Sequence, residues 1–125
     1  MNKGKNPTIL IVDDEKINLL YLNAIVKRID GYMPEILTAI NGKEAIDICI
    51  NNKIDLVLMD IRMPVMDGLE ATREIKSFNP DIIVIVQTAF STPQDKALAF
   101  DSGCNDFITK PINREELYSM IKNYI

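Results

Sequence analysis

The 125-residue chain has no histidine and no tryptophan, and only two cysteines, Cys49 and Cys104. Without histidine it lacks the commonest acid or base near neutral pH and every imidazole metal ligand. Two cysteines outside any CxxC spacing make no disulfide scaffold and fit a reducing, cytosolic setting. No apolar run approaches membrane-spanning length, and the polar start MNKGKNPT, followed by the short run ILIV, makes no signal peptide. A basic surplus is also missing: 14 Lys and Arg stand against 18 Asp and Glu, a formal net charge of -4. That balance disfavours nucleic acid phosphates and anionic membrane surfaces as partners. With no linker-like, repetitive or low-complexity tract, the expectation is one domain over residues 1–125 with its core at about 8–124.

What is there is alternation. An apolar fraction of 47% argues for a packed core. Ile9–Val12 reads as a buried strand. A helix is expected from Lys16 to Ile29, with Ile17, Leu20, Tyr21, Ala24, Ile25 and Ile29 as its apolar face and Gly31 as its stop. Residues 35–40 form a second strand, and Asn41 caps a helix with Glu44 three positions on and Ala45, Ile46, Cys49 and Ile50 facing inward. Ile54–Met59 is a third strand covered on both sides. Asp67 and Glu70 open a helix to about Phe78, and Ile82–Val86, all β-branched, gives the fourth strand. Thr92, Pro93 and Asp95 begin a helix ending near Gly103. Asp106–Thr109 is a short fifth strand, and Asn113 and Glu116 start a last helix with Leu117, Met120, Ile121 and Tyr124 inward. Strictly alternating strands and helices imply an α/β fold, a parallel sheet covered on both faces.

In such sheets ligands gather beyond the carboxyl ends of the strands. Those ends carry Asp13 and Asp14, Asp60, Thr88 and Lys110. Converging carboxylates repel unless a cation compensates, and Mg²⁺ suits hard oxygen ligands shared with a phosphate. Lys110 and Thr88 would serve phosphoryl oxygens as cation and hydroxyl donor. There is no GxxxxGK[ST] loop and no GxGxxG turn, so a nucleotide cradle is unsupported. An acidic site of this kind suits a phosphoryl group carried on a side chain, with Asp60 as nucleophile. Each residue alone has a plainer reading as cap, strand residue or solvated lysine; their joint placement carries the inference.

The motifs VDDE (Val12–Glu15), MDIRMPVMDG (Met59–Gly68), TA (Thr88–Ala89) and KP (Lys110–Pro111) resemble the receiver domain of two-component response regulators over almost the whole chain. The resemblance implies a flavodoxin-like three-layer (βα)5 sandwich with sheet order 2-1-3-4-5. It implies that Asp60 accepts a phosphoryl group from a phosphohistidine on a histidine kinase or phosphotransfer protein. Asp14 would bind Mg²⁺ directly, with Mn²⁺ able to substitute, Asp13 would act through metal-bound water, and the Arg62 backbone carbonyl would complete the set. Lys110 would contact the phosphoryl group, Thr88 would move toward it, and Phe107 would turn inward as the switch aromatic. Arg62 and Phe90 occupy the two positions that vary beside the pocket, and their bulk is expected to prolong the phosphoaspartate by obstructing water. Such a domain is both substrate and catalyst, so it is no conventional enzyme.

By the same resemblance, the first helix, around Asn18 and Asn23, is the docking region, and the fourth helix, fifth strand and fifth helix are the output or homodimer surface. Ala97, Phe100 and Leu117 do not by themselves establish that surface. The wording IVQTAFSTPQDKALAFDSGCNDFITKPI leans toward a hybrid sensor histidine kinase, the receiver then being the cytoplasmic part of a membrane-bound protein; a stand-alone or excised receiver is the other origin. A phosphorylation-independent protein-binding module and a flavodoxin-like cofactor carrier are the competing functions. An intact set of Asp13, Asp14, Asp60, Thr88 and Lys110 argues against the first, and the missing phosphate loop and tryptophan against the second.

Overall fold

The structure, a computed structural model, describes residues 5–89 and 92–125. Along these residues β1 (Thr8–Val12), α1 (Lys16–Val26), β2 (Glu35–Ala39), α2 (Gly42–Asn51), β3 (Leu56–Asp60), α3 (Gly68–Phe78), β4 (Ile83–Thr88), α4 (Pro93–Asp101), β5 (Asp106–Thr109) and α5 (Arg114–Tyr124) follow one another. The five strands form one parallel sheet, as the alternation predicts, in the order β2-β1-β3-β4-β5 that the resemblance implies. β3 is buried along its whole length, since both faces of a central parallel strand lie under helices.

Alternate strand residues feed two apolar layers. Leu10, Val12, Val57, Met59, Val84 and Val86 pack with Ala45, Ile46 and Cys49 of α2 and Ala71 and Ile75 of α3. On the other face Ile9, Ile11, Leu58, Ile85 and Ile108 pack with Leu19, Leu22, Ile25 and Val26 of α1 and Leu117 and Ile121 of α5.

Helix starts follow side-chain chemistry. Asn41, Asp67, Thr92 and Asn113 accept from the backbone N–H of Glu44, Glu70, Asp95 and Glu116 at 2.8–3.1 Å, satisfying donors that a first helical turn leaves open. α1 has no such cap of its own; Asp13 Oδ1 accepts from Glu15 N–H at 2.9 Å just ahead of it.

Five expectations change. α1 ends at Val26 rather than Ile29, the chain turning through Lys27 and Arg28 before Gly31 at φ +83°. Its Ile17, Leu20 and Tyr21 are 80%, 65% and 52% exposed and Ala24 is exposed too, so Leu19, Leu22 and Val26 join the expected Ile25 on the inward face. Two apolar stripes at helical spacing run along this helix, and periodicity could not say which one the sheet takes. Ile50 likewise faces solvent, 61% exposed. Finally, β4 continues past Val86 through Gln87 and Thr88, while Ile40 lies beyond the end of β2.

Candidate functional site

Register brings the strand ends together. Val12 pairs with Met59, Asp60 with Gln87 and Thr88 with Thr109. The residues that follow or end these strands, Asp13, Asp60, Thr88 and Lys110, therefore come from four adjacent strands. Between β1 and β3 the chain's winding changes direction, the switch point at which such sheets open a crevice. A cavity of about 260 Å³ lies there, lined by Asp14, Asp60, Arg62, Thr88, Ala89 and Lys110 among others.

Asp13 and Asp60 are buried, while Asp14 is exposed to the cavity mouth. One carboxylate oxygen from each of the three lies within 4.8 Å of the others. Lys110 Nζ donates to Asp60 Oδ1 at 2.9 Å and stands 3.5 Å from Asp13 Oδ2. Burial pushes the Asp60 carboxyl above the usual carboxylate range; the Lys110 hydrogen bond draws it down, and the charges of Asp13 and Asp14 add to the rise. Burial pulls the Lys110 ammonium the other way, but its hydrogen bond and charge pairing with Asp60 and Asp13 outweigh that, so it holds its proton above the ordinary lysine value.

Whether these residues suit a divalent cation is answered by Asp13. Its Oδ2 is buried and makes no hydrogen bond among the described residues. Its ion pair with Lys110 at 3.5 Å compensates charge without making a hydrogen bond, and a hard cation among three carboxylates would satisfy that oxygen. The donor set is all oxygen, as such an ion requires, and the three carboxylates could hold a divalent cation.

The loop from β3 to α3 is fixed tightly against the site. Gly68 N–H donates to Ile61 O at 2.8 Å and Gly42 N–H to Met66 O at 3.2 Å. A Cβ on Gly68 would stand 1.9 Å from the Asp60 backbone oxygen, so only glycine lets α3 start this close to the end of β3. Arg62 is exposed on this loop and lines the cavity. Phe107 in β5 is half-buried against the α2/α3 layer, with Lys96 Nζ of α4 6.0 Å from its ring centroid. Phe90 lies outside the described residues.

A model of the response regulator receiver domain matches residues 9–122. The chain belongs to this family. The receiver is 38% identical over 114 residues to the transcriptional regulatory protein ZraR of Klebsiella oxytoca, covering 91% of this chain but only 25% of that protein. Its fold superposes with a TM-score of 0.89 and 30% identity on the Saccharomyces cerevisiae Ssk1 receiver crystallised with the histidine phosphotransfer protein Ypd1, covering 97% of this chain and 90% of that one. A TM-score of 0.86 with 28% identity relates it to the receiver of the Pseudomonas aeruginosa sensor histidine kinase PA1611, solved with a magnesium ion coordinated in its active site cleft, over 95% of this chain and 97% of that one.

Every strand-end residue singled out in the sequence therefore lines or borders one site. Two contributors were not singled out. Glu15 lines the cavity, and Gln87, buried directly beside Asp60 in register, was cut off by ending β4 at Val86. The signal for Gln87 was present: a polar amide in an otherwise aliphatic strand. Among the described residues no helix is long and apolar enough to cross a membrane.

Proposed function

We propose that this receiver takes a phosphoryl group from a phosphohistidine onto Asp60, with Mg²⁺ as the resident cation and Mn²⁺ able to replace it. The observation that carries the reading is Lys110 held between Asp60 and Asp13 in a cluster of three carboxylates, one buried oxygen of which makes an ion pair but no hydrogen bond. An Asp60 oxygen attacks phosphorus in line, the O–P bond forming as the N–P bond of the donor breaks and the imidazole leaves with its electron pair, taking up a proton. Lys110 shifts from its carboxylate partners toward the incoming phosphoryl oxygens, and the Thr88 hydroxyl donates to another of them. Asp14, Asp60 and the Arg62 carbonyl would hold the ion, with Asp13 assisting through water, and it would supply charge neutralisation. Later attack by water on phosphorus returns free Asp60 and inorganic phosphate.

Thr88 lies at the end of β4 and pairs with Thr109, two residues after Phe107. Movement of Thr88 toward the phosphoryl group frees space into which Phe107 turns, giving up its place beside Lys96. The exposed Leu98 and Phe100 on α4 support the face of α4, β5 and α5 as the output or homodimer surface; Ala97 is exposed there too, whereas Leu117 belongs to the core.

The donor is a histidine kinase or histidine phosphotransfer protein. The uncovered stripe Ile17, Leu20 and Tyr21 on α1 supports docking beside the site, as does the likeness to a receiver crystallised with such a partner. Asn18 and Asn23 are half-buried and flank this stripe rather than form it. The chain spans between 7% and 50% of the length of curated relatives it matches, and the likeness to the receiver of the sensor histidine kinase PA1611 favours a hybrid kinase context. Net charge and the buried free cysteines support a cytoplasmic domain over 1–125 without nucleic acid or membrane contact of its own.

Incubation with a phosphorylated histidine donor and Mg²⁺ tests the reading. Label should pass to the wild type and not to Asp60→Ala; a receiver that docks the donor equally but gains no label is instead a phosphorylation-independent binding module.

A further inference from the structure

We propose that Gln87 is a positioning residue that holds the Val12–Asp13 peptide, and through it the Asp13 carboxylate, in register with Asp60. The inference rests on the receiver reading and extends it to a residue that touches neither phosphate nor metal.

Gln87 is 1% exposed. Its register partner Ile108 and its same-face neighbour Ile85 both belong to the apolar layer under α1 and α5. An aliphatic side chain would fill this place without the cost of burying an amide. The amide instead reaches past β3: Nε2 donates to Val12 O at 3.5 Å. That carbonyl belongs to the peptide whose N–H, on Asp13, donates to Ala39 O of β2 at 3.1 Å. The peptide is thus gripped from both sides, by β2 through its N–H and by β4 through its carbonyl.

The carboxylate it carries is only half fixed. Asp13 Oδ1 accepts from Glu15 N–H, whereas Oδ2 makes no hydrogen bond and meets Lys110 Nζ in an ion pair at 3.5 Å. Rotation of the preceding peptide would therefore swing Oδ2 away from Asp14 and Asp60. Gln87 also shares a cavity of about 170 Å³ with Lys110, Asn18 and Tyr21, so it borders Lys110 as well as the Val12–Asp13 peptide. A contact of 3.5 Å is long for a hydrogen bond and contributes orientation more than stability, as partners behind a metal's own ligands do.

The test is Gln87→Met, close in volume but without the donor. Calorimetric Mg²⁺ titration should show about 10-fold weaker affinity, while the metal-free protein melts at or above the wild-type temperature. Wild-type affinity in a folded Q87M overturns the proposal, because a filler role moves melting and leaves affinity alone. Should Q87M not fold, NMR of the wild type decides: the Gln87 side-chain amide protons should be protected from solvent and shift on Mg²⁺ addition with the midpoint of the Asp13 amide. Rapidly exchanging protons that ignore Mg²⁺ overturn it. A wild type that binds no Mg²⁺ at all removes the receiver chemistry along with this proposal, whereas Mg²⁺ binding that Q87M leaves untouched removes this proposal alone.

Discussion

Lys110 Nζ lies 2.9 Å from Asp60 Oδ1 and 3.5 Å from Asp13 Oδ2, one ammonium serving two buried carboxylates from neighbouring strands. Removing it leaves both without that compensation. Breaking a fully buried pair costs ~3–5 kcal/mol, but Lys110 is one-quarter exposed and water screens part of the loss. Lys110→Met should therefore lower metal-free stability by about 1–2 kcal/mol in urea unfolding. Mg²⁺ should raise the midpoint more in the variant than in the wild type, since the ion takes over the missing charge. Equal Mg²⁺ shifts would contradict this.

Gly68 and Gly31 make a paired test of backbone approach. Gly68→Ala sets its Cβ against the Asp60 carbonyl, backbone against backbone, and should cost about 3 kcal/mol while weakening Mg²⁺ binding. Gly31, at φ +83° with open space around it, should lose only about 1 kcal/mol on replacement by alanine and keep its metal affinity. Denaturant unfolding with and without Mg²⁺ separates the two.

Stability should fall at alkaline pH for a reason traceable to named groups. Burial pushes the Cys49 and Cys104 thiols from 9.0 up to about 11. Between those values the unfolded chain has already released protons that the folded one keeps, so unfolding becomes easier as pH rises. Lys110 acts in the same direction: its contribution is full below the ordinary lysine value and is lost as pH climbs through its raised one. The urea midpoint should decline from about pH 9 to 11, with thiol alkylation at pH 8 slow until urea is added. A flat midpoint, or rapid alkylation of the folded protein, would contradict the burial argument.

The lifetime of the phosphorylated state should depend on the side chains at positions 62 and 90. Arg62 is exposed and lines the cavity, and Phe90 is the second position assigned by resemblance. In the double variant Arg62→Ala/Phe90→Ala, water should reach the phosphoryl group more freely and phosphate release should be faster than in wild type. Unchanged release kinetics would remove this role from both.

Much of this was legible in the sequence, for physical reasons. The parallel sheet and the convergence of Asp13, Asp60, Thr88 and Lys110 follow from alternation and from carboxyl-end placement, the strand order came from the family resemblance, and the four capped helices announce themselves through Asn41, Asp67, Thr92 and Asn113. The face of α1 was not legible. Ile17, Leu20 and Tyr21 have the same spacing as the buried Leu19, Leu22, Ile25 and Val26, and only the position of the sheet chooses between them. Gln87 was missed because a polar residue after Ile82–Val86 resembles a strand end. The close approach that demands Gly68 depends on where α3 meets β3, which no local pattern encodes.

The account stands on Asp60 as the residue that receives the phosphoryl group. Its most direct test is peptide mapping by mass spectrometry after incubation of the intact protein with acetyl phosphate and Mg²⁺, with Asp60→Ala and a chelator as controls. The expected result is one phosphoryl group on the peptide containing Asp60, absent from the variant and from the chelated sample. Label on another residue, or equal label in Asp60→Ala, would contradict it.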